Sequence, residues 1–292
     1  MGRSMRTAAV VVALVGFGIA GFGIGEFGRA GALAADPPAG GTAVVTAAPP
    51  APVATLGARS YLGPARWPDA MALIASPPAE GSEALRRDRQ LEAAALALQG
   101  GSRWALARAD ADLWSASATG AFSCAAGREI SPAATPRVDS LLRATMSDLG
   151  RVSGAAKDHY ARQRPFAGNG RPICTPEMEQ ALRGNGSYPS GHATIGYGWA
   201  LILADLIPAR RAALLARGRA FGDSRRVCNV HFASDIAAGQ ALAAPVLERF
   251  RQDPVFQADL AAARAELRAA SPVRPSCAGE TAALALTRKD VP

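Results

Sequence analysis

From Tyr61 onward, apolar residues recur three and four positions apart almost without interruption, and no alternating apolar and polar run is bounded by hairpin signals. That spacing predicts an all-α fold, a compact helical bundle. The clearest segment opens at Thr135 and Pro136, an N-cap followed by a first-turn proline. It carries Val138, Leu141, Leu142, Thr145, Met146 and Leu149 at helical spacing up to Gly150. Ser82 is placed to cap a helix in which Leu91, Ala94, Ala95 and Leu98 share one face before Gly100 and Gly101 end it. Further helices are predicted over 103–115, 152–162, 176–182, 190–207, 209–224, 233–250 and 254–269, with the short connections of a bundle. The tail, 271–292, is predicted to be mostly loop tethered through Cys277.

The first residues follow another pattern. Arg3 and Arg6 precede the apolar run from Ala8 to Leu14 and a Gly/Phe/Ile stretch to Ile24, and the segment closes on Ala32, Leu33 and Ala34. This predicts a signal peptide over 1–34 with an Ala-x-Ala cleavage site and a mature chain beginning near Ala35. A membrane anchor is the competing reading, opposed by Glu26 and Arg29, which interrupt the run before it spans a bilayer comfortably. Residues 35–60 are Ala/Pro-rich, a flexible leader, so the domain is expected over 61–270. No later stretch has transmembrane length, because the most apolar one contains Asp205 and stops at Pro208. A periplasmic or secreted protein without stable membrane insertion after processing is therefore expected.

Composition narrows the classes. With 49% apolar residues the chain can build a core, which excludes disorder throughout. The formal net charge of +8 falls to about +6 once the signal segment is removed. Arginine is spread without blocks of like charge, which points to small anions and not to nucleic acid. Cys124, Cys174, Cys228 and Cys277 form no CxxC pair and have no His at zinc-ligand spacing, so two disulfides are expected in an exported chain, and no metal site. Three pairings are possible, and Cys174 with Cys228 and Cys124 with Cys277 is the one favoured here.

Three clusters carry chemistry. Lys157 is followed after six residues by Arg164 and Pro165, a compact cation and a planar donor fork, both suited to phosphate oxygens. Ser187, Tyr188, Pro189, Ser190, Gly191 and His192 stand where the helix over 190–207 begins. Free N–H groups and the positive end of the helix dipole make an anion seat there, and Gly191 lets the backbone come close. Ser224 and Arg225 are followed after five residues by His231, and Asp235 lies four residues further, one helical turn away on the same face. A carboxylate so placed fixes the imidazole tautomer and aims the other ring nitrogen outward. Each cluster alone also fits an ordinary solvated or capping role, but the chain has only three histidines and two fall inside these clusters. The third, His159, and its neighbour Asp158 are assigned to an exposed helix face.

In order and spacing the clusters resemble the class A bacterial non-specific acid phosphatases, within the type 2 phosphatidic acid phosphatase and vanadium haloperoxidase superfamily. The similarity runs from Tyr61 and Leu62, through Phe122 to Cys124, to about Leu267, with one departure at Phe232, where Trp often follows the motif His. The resemblance implies that Lys157, Arg164 and Arg225 hold phosphate oxygens, helped by Ser190 and the Gly191 backbone. It implies His231 as nucleophile, Asp235 as its orienter and His192 as general acid, with no cofactor or metal, phosphate monoesters as substrates and vanadate as an inhibitor. The alternatives are a vanadium-dependent haloperoxidase, which shares the anion site, and a non-catalytic exported anion-binding protein, which leaves His231 and Asp235 without a task. The preferred ester and the oligomeric state are not legible in the sequence.

Overall fold

The computed structural model describes residues 60–269 and 271–287. The signal peptide expected at 1–34 and the leader expected at 35–60 lie outside the described residues, Ser60 apart. Among the described residues there are thirteen α-helices and no strand, the all-α fold that the apolar spacing predicts. The first six are α1 (Ala70–Leu73), α2 (Glu83–Leu96), α3 (Ser102–Asp110), α4 (Ser123–Ala126), α5 (Pro136–Arg151) and α6 (Gly154–Tyr160). There follow α7 (Pro165–Asn169), α8 (Glu179–Arg183), α9 (Gly191–Leu206), α10 (Arg211–Val227), α11 (Ala233–Arg251), α12 (Pro254–Ala269) and α13 (Ala278–Thr287).

Helix α9 lies at the centre because it is apolar on nearly every side. Eleven of its sixteen residues are buried, and α5, α10 and α11 pack around it. Trp199 is fully buried with its indole N–H donating to the Leu142 carbonyl at 2.8 Å, and Phe122 and Phe221 close over it. Each such ring removed from water stabilises the fold by about 1.5–3 kcal/mol. The start of α9 is pressed against α11 at Gly239, where an added Cβ would collide with the Ser190 carbonyl. Thr194 locks that contact, its hydroxyl donating to the Gly239 carbonyl at 2.9 Å. The central helix is thus a rigid platform, and its N-terminal turn is positioned by core packing.

The structure departs from expectation at two helix ends, both of which shape the site, and in the C-terminal tail. The helix expected over 103–115 stops at Asp110, because Asp112 accepts from the N–H groups of Trp114 and Ser115 at 2.9 and 3.0 Å and winds the chain into a turn. The helix expected over 152–162 stops at Tyr160, because Ala161 adopts a left-handed conformation with φ 43°. That costs about 1–2 kcal/mol at a non-glycine residue. The tail expected to be mostly loop instead contains α13, whose Ala283 and Thr287 face the molecule one turn apart. Its weak sequence signal is compensated by tertiary contacts: Glu280 pairs with Arg217, and Arg103 donates to Thr287 Oγ1 at 3.1 Å. Disulfides join Cys124 to Cys277, with Cα atoms 5.6 Å apart, and Cys174 to Cys228, with Cα atoms 4.8 Å apart. The second sits in a small apolar cluster with Phe166, Ile173, Val227 and Val230, the residue just before His231.

Candidate active site

Two helix N-termini supply the two histidines. At α9, Ser190 is the N-cap and its Oγ accepts from the Ala193 N–H at 3.3 Å, a hydroxyl role that still leaves its hydrogen to donate. The first-turn N–H groups of Gly191 and His192 have no carbonyl of their own helix to bond. The ring of His192 lies with its Nε2 2.9 Å from the Ala111 carbonyl, at the end of α3. A carbonyl only accepts, so Nε2 carries the proton and Nδ1 is the nitrogen left for proton exchange. At α11, Asn229 has a left-handed backbone, φ 63°, held by its side-chain amide donating to the Arg171 carbonyl at 3.0 Å. The turn delivers His231 just ahead of the helix.

Arg164 Nη1 lies 3.1 Å from His231 Nε2. A guanidinium has no acceptor, so Nε2 must present its lone pair and the ring proton sits on Nδ1, which faces Asp235 Oδ2 at 3.4 Å. The carboxylate of Asp235 is fully buried, and the same Oδ2 accepts from the Phe232 N–H at 2.8 Å. Its backbone carbonyl accepts from Ser190 N at 2.9 Å, which ties the two helix starts together.

Lys157, Arg164 and Arg225 converge on the same space, each no more than 9% exposed. Lys157 donates to the Gly186 carbonyl at 2.8 Å, and Arg164 donates to the carbonyls of Leu182, Asn185, Gly186 and Val230. Nε of Arg225 is buried with no partner. Burial, and then the Arg164 charge, push Lys157 down to about 7, with Asp235 and Asp158 opposing. Burial pushes Arg164 down to about 10, and burial with the Arg164 charge does the same to Arg225. Both guanidinium groups stay protonated at any working pH. Both histidines are held well below their ordinary range, first by burial and then by these cations. Burial raises Asp235, against Arg162 and the Phe232 N–H. A desolvated cluster of three cations with one orphaned donor is electrostatically incomplete, and an oxyanion is the group that completes it. A cavity of about 560 Å³ bordered by Lys157, Arg162, Arg164, Arg183 and Asn185 adjoins two of these cations, while His192, Arg225, His231 and Asp235 lie outside its lining.

The eight residues singled out in the sequence, Lys157, Arg164, Ser190, Gly191, His192, Arg225, His231 and Asp235, therefore lie around one site. A bacterial relative, an acid phosphatase of Zymomonas mobilis, is 42% identical over 206 residues, covering 69% of this chain and 76% of the relative. The chain belongs to the acid phosphatases of the PAP2 superfamily. The PAP2 superfamily profile matches residues 141–250, the stretch from α5 through α11 that holds all eight residues. A non-specific acid phosphatase of Salmonella typhimurium is 38% identical over 192 residues, 65% of this chain and 77% of the relative. One of Providencia stuartii is 34% identical over 227 residues, 77% of this chain and 92% of the relative.

Around these residues, others make contacts that sequence spacing did not expose. Ser224, beside Arg225, donates to Asp110 at 2.6 Å and accepts from Arg103 at 2.9 Å, while Arg217 grips Asp110 through both its oxygens. This buried network braces the helix that carries Arg225. Arg162 and Asp88 reach Asp235 and the start of α11. Arg162 carried a weak signal, lying between Lys157 and Arg164, whereas Asp88 is on α2 with nothing local to mark it. Arg89 and Arg162 stack over the ring of Phe232 at 5.0 and 4.3 Å. His159 is exposed and packs edge-on against Tyr160. Among the described residues no group of three or more His, Cys, Asp or Glu is arranged to hold a metal ion, and no helix is long and apolar enough to cross a membrane.

Proposed function

We propose that this protein is an exported phosphatase that hydrolyses phosphate monoesters through a phosphohistidine on His231, without a metal ion. The observation that carries the reading is the contact of Arg164 with His231 Nε2, which leaves that lone pair directed into the cluster of buried cations. Lys157, Arg164, Arg225 and the first-turn N–H groups of α9 hold the phosphoryl oxygens and stabilise the charge that gathers on them in the transition state. Nε2 attacks phosphorus, the N–P bond forms, and the ester P–O bond breaks. Asp235 keeps the ring proton on Nδ1 and stabilises the positive ring that results. His192 gives its Nδ1 proton to the departing oxygen, then takes one from the water that attacks the phosphohistidine and releases inorganic phosphate.

Burial and the surrounding cations favour the neutral form of both histidines, which suits the nucleophile. A bound phosphoryl group offsets the cations that depress His192, so substrate itself favours the protonated general acid. The relatives bear names of acid phosphatases, which favours hydrolysis over peroxide-dependent halide oxidation or mere anion carriage. Export rests on the 1–34 pattern and on the two disulfides, which suit an oxidising periplasmic or extracellular compartment.

The test is turnover of alkyl, nucleoside and aryl phosphates by purified protein with and without chelator and vanadate. Full activity in chelator and inhibition by vanadate are expected. Loss in chelator that added zinc or magnesium restores overturns the metal-free reading.

A further inference from the structure

Asp235 has two oxygens, and only one of them faces His231. Oδ2 takes the His231 ring and the Phe232 N–H, while Oδ1 accepts from Arg162 Nη1 at 2.6 Å. The other arm of the guanidinium, Nη2, donates to Asp88 Oδ2 at 2.9 Å. Asp88 is itself 3% exposed, and its Oδ1 accepts from the Ser234 N–H at 2.9 Å, capping α11 from another helix. Nη1 of Arg162 also donates to the Ser234 hydroxyl at 2.7 Å, and the guanidinium plane lies 4.3 Å over the Phe232 ring. Arg162 is therefore fixed on two carboxylates, a hydroxyl and an aromatic face. The left-handed turn at Ala161 is what swings it back into this position.

We infer that Arg162, clamped by Asp88, is a positioning residue for the nucleophile: it holds Asp235 ionised and oriented so that His231 presents Nε2 to phosphorus. The inference rests on the reading of His231 as nucleophile. The titratable and charged groups facing Asp235 are His231, Arg162, Lys157, Arg164, Tyr188 and, across Arg162, Asp88, and the Ser187 hydroxyl also bonds the carboxylate. Of the charged groups, Arg162 is the one that donates to Oδ1. Without it a fully buried carboxylate faces a second buried carboxylate, and one of the pair takes a proton in acid. A protonated Asp235 no longer fixes the tautomer, since either ring nitrogen can then carry the hydrogen. The Asp88–Arg162–Asp235 chain has a net charge of −1, which matches the positive ring formed on phosphorylation. Lysine keeps the charge but cannot span both carboxylates with a planar fork.

The experiment compares Arg162→Gln, Arg162→Lys, Asp235→Asn and the Arg162→Gln/Asp235→Asn double variant with nitrophenyl phosphate across pH. Arg162→Gln is expected to lower kcat about 10- to 100-fold with KM little changed, and to move the acid limb of the profile up by about one pH unit. In the Asp235→Asn background the same change is expected to cost less than about 2-fold, because residues acting as one unit are not additive. Arg162→Lys retains the acid limb while losing part of kcat, and it carries the comparison where the Gln variant does not fold. An unmoved acid limb, or losses that multiply in the double variant, overturns the inference. Histidine nitrogen NMR gives a readout independent of turnover. Wild-type His231 is expected to keep Nε2 unprotonated, and Arg162→Gln to mix the two tautomers. An unchanged tautomer overturns the inference even in a protein whose substrate is something other than a phosphate monoester, while absent wild-type turnover counts against the phosphatase reading alone.

Discussion

The starts of α9 and α11 carry the two histidines, yet they are built in opposite ways. At α9 the cap is the neighbour in sequence, Ser190, and the helix behind it is apolar enough to fix its own place in the core. At α11 the N-cap is Phe232, which has no acceptor, so the free N–H groups are bonded by Asp235 from within the first turn and by Asp88 from α2. The first terminus takes its side-chain cap from the adjacent residue and, in the proposed reading, offers N–H groups to an anion. The second is assembled at long range and delivers an oriented ring whose neutral form is favoured by burial and the neighbouring cations. A seat for an anion needs only backbone, whereas a nucleophile needs partners on every side.

The sharpest break of that comparison is removal of each ring. His231→Ala is expected to lower hydrolysis of alkyl and aryl phosphates alike by at least about 10,000-fold, because no phosphoryl-enzyme forms. Rapid quench with nitrophenyl phosphate checks it, and a surviving burst of nitrophenolate would assign the nucleophile elsewhere. His192→Ala is expected to cost about 100- to 10,000-fold for alkyl phosphates, whose leaving oxygen needs a proton. With nitrophenyl phosphate the same variant should still release a first equivalent of phenolate and accumulate an acid-labile phosphohistidine. Equal loss of the burst for both leaving groups would contradict a proton-donating role.

Stability separates the two caps. Asp88→Ala leaves Arg162 with one carboxylate and Ser234 N without its acceptor, and is expected to cost about 3 kcal/mol. Ser190→Ala removes one local cap and is expected to cost about 1 kcal/mol. Denaturant unfolding gives both values, and the reverse order would show that the long-range cap is the weaker one.

The smallest effect concerns the anion seat. Lys157 is depressed from 10.5 to about 7, so between those values the unfolded chain binds more protons than the folded one. Its contribution to stability is full above 10.5 and is lost as the pH falls through 7, where the buried ammonium is charged. Sulfate, a dianion throughout, offsets that charge. It should therefore raise the melting temperature by about 2–4 °C more at pH 6 than at pH 8.5, and Lys157→Met should level the two. Equal shifts at both pH values in the wild type would place the anion away from Lys157.

What could be read from the sequence follows the same division. The apolar stripe of α5 and the Ser190 cap are local, so spacing reveals them. Lys157, Arg164, His192, Arg225, His231 and Asp235 stand in short clusters whose residue types already state a chemistry. Hidden were features that depend on backbone turned against its habit or on distant partners. Ala161 carries no sequence mark of a left-handed conformation and Asn229 only a weak one, since glycine announces it most clearly and asparagine next. The Ala111 carbonyl that holds His192 is available only because α3 ends early. Asp88 lies 146 residues before the N–H it caps, beyond the reach of any periodicity. Helix α13 was hidden for a related reason, being short and held mainly by Cys277, Glu280 and Thr287.

That last helix has a consequence for rigidity. Arg103 and Arg217, which brace Ser224 and hence the helix bearing Arg225, each also take a partner from α13, in Thr287 and Glu280. The segment is anchored just ahead of α13 by the Cys124–Cys277 disulfide, so slack in a part of the chain far from every motif is felt behind Arg225.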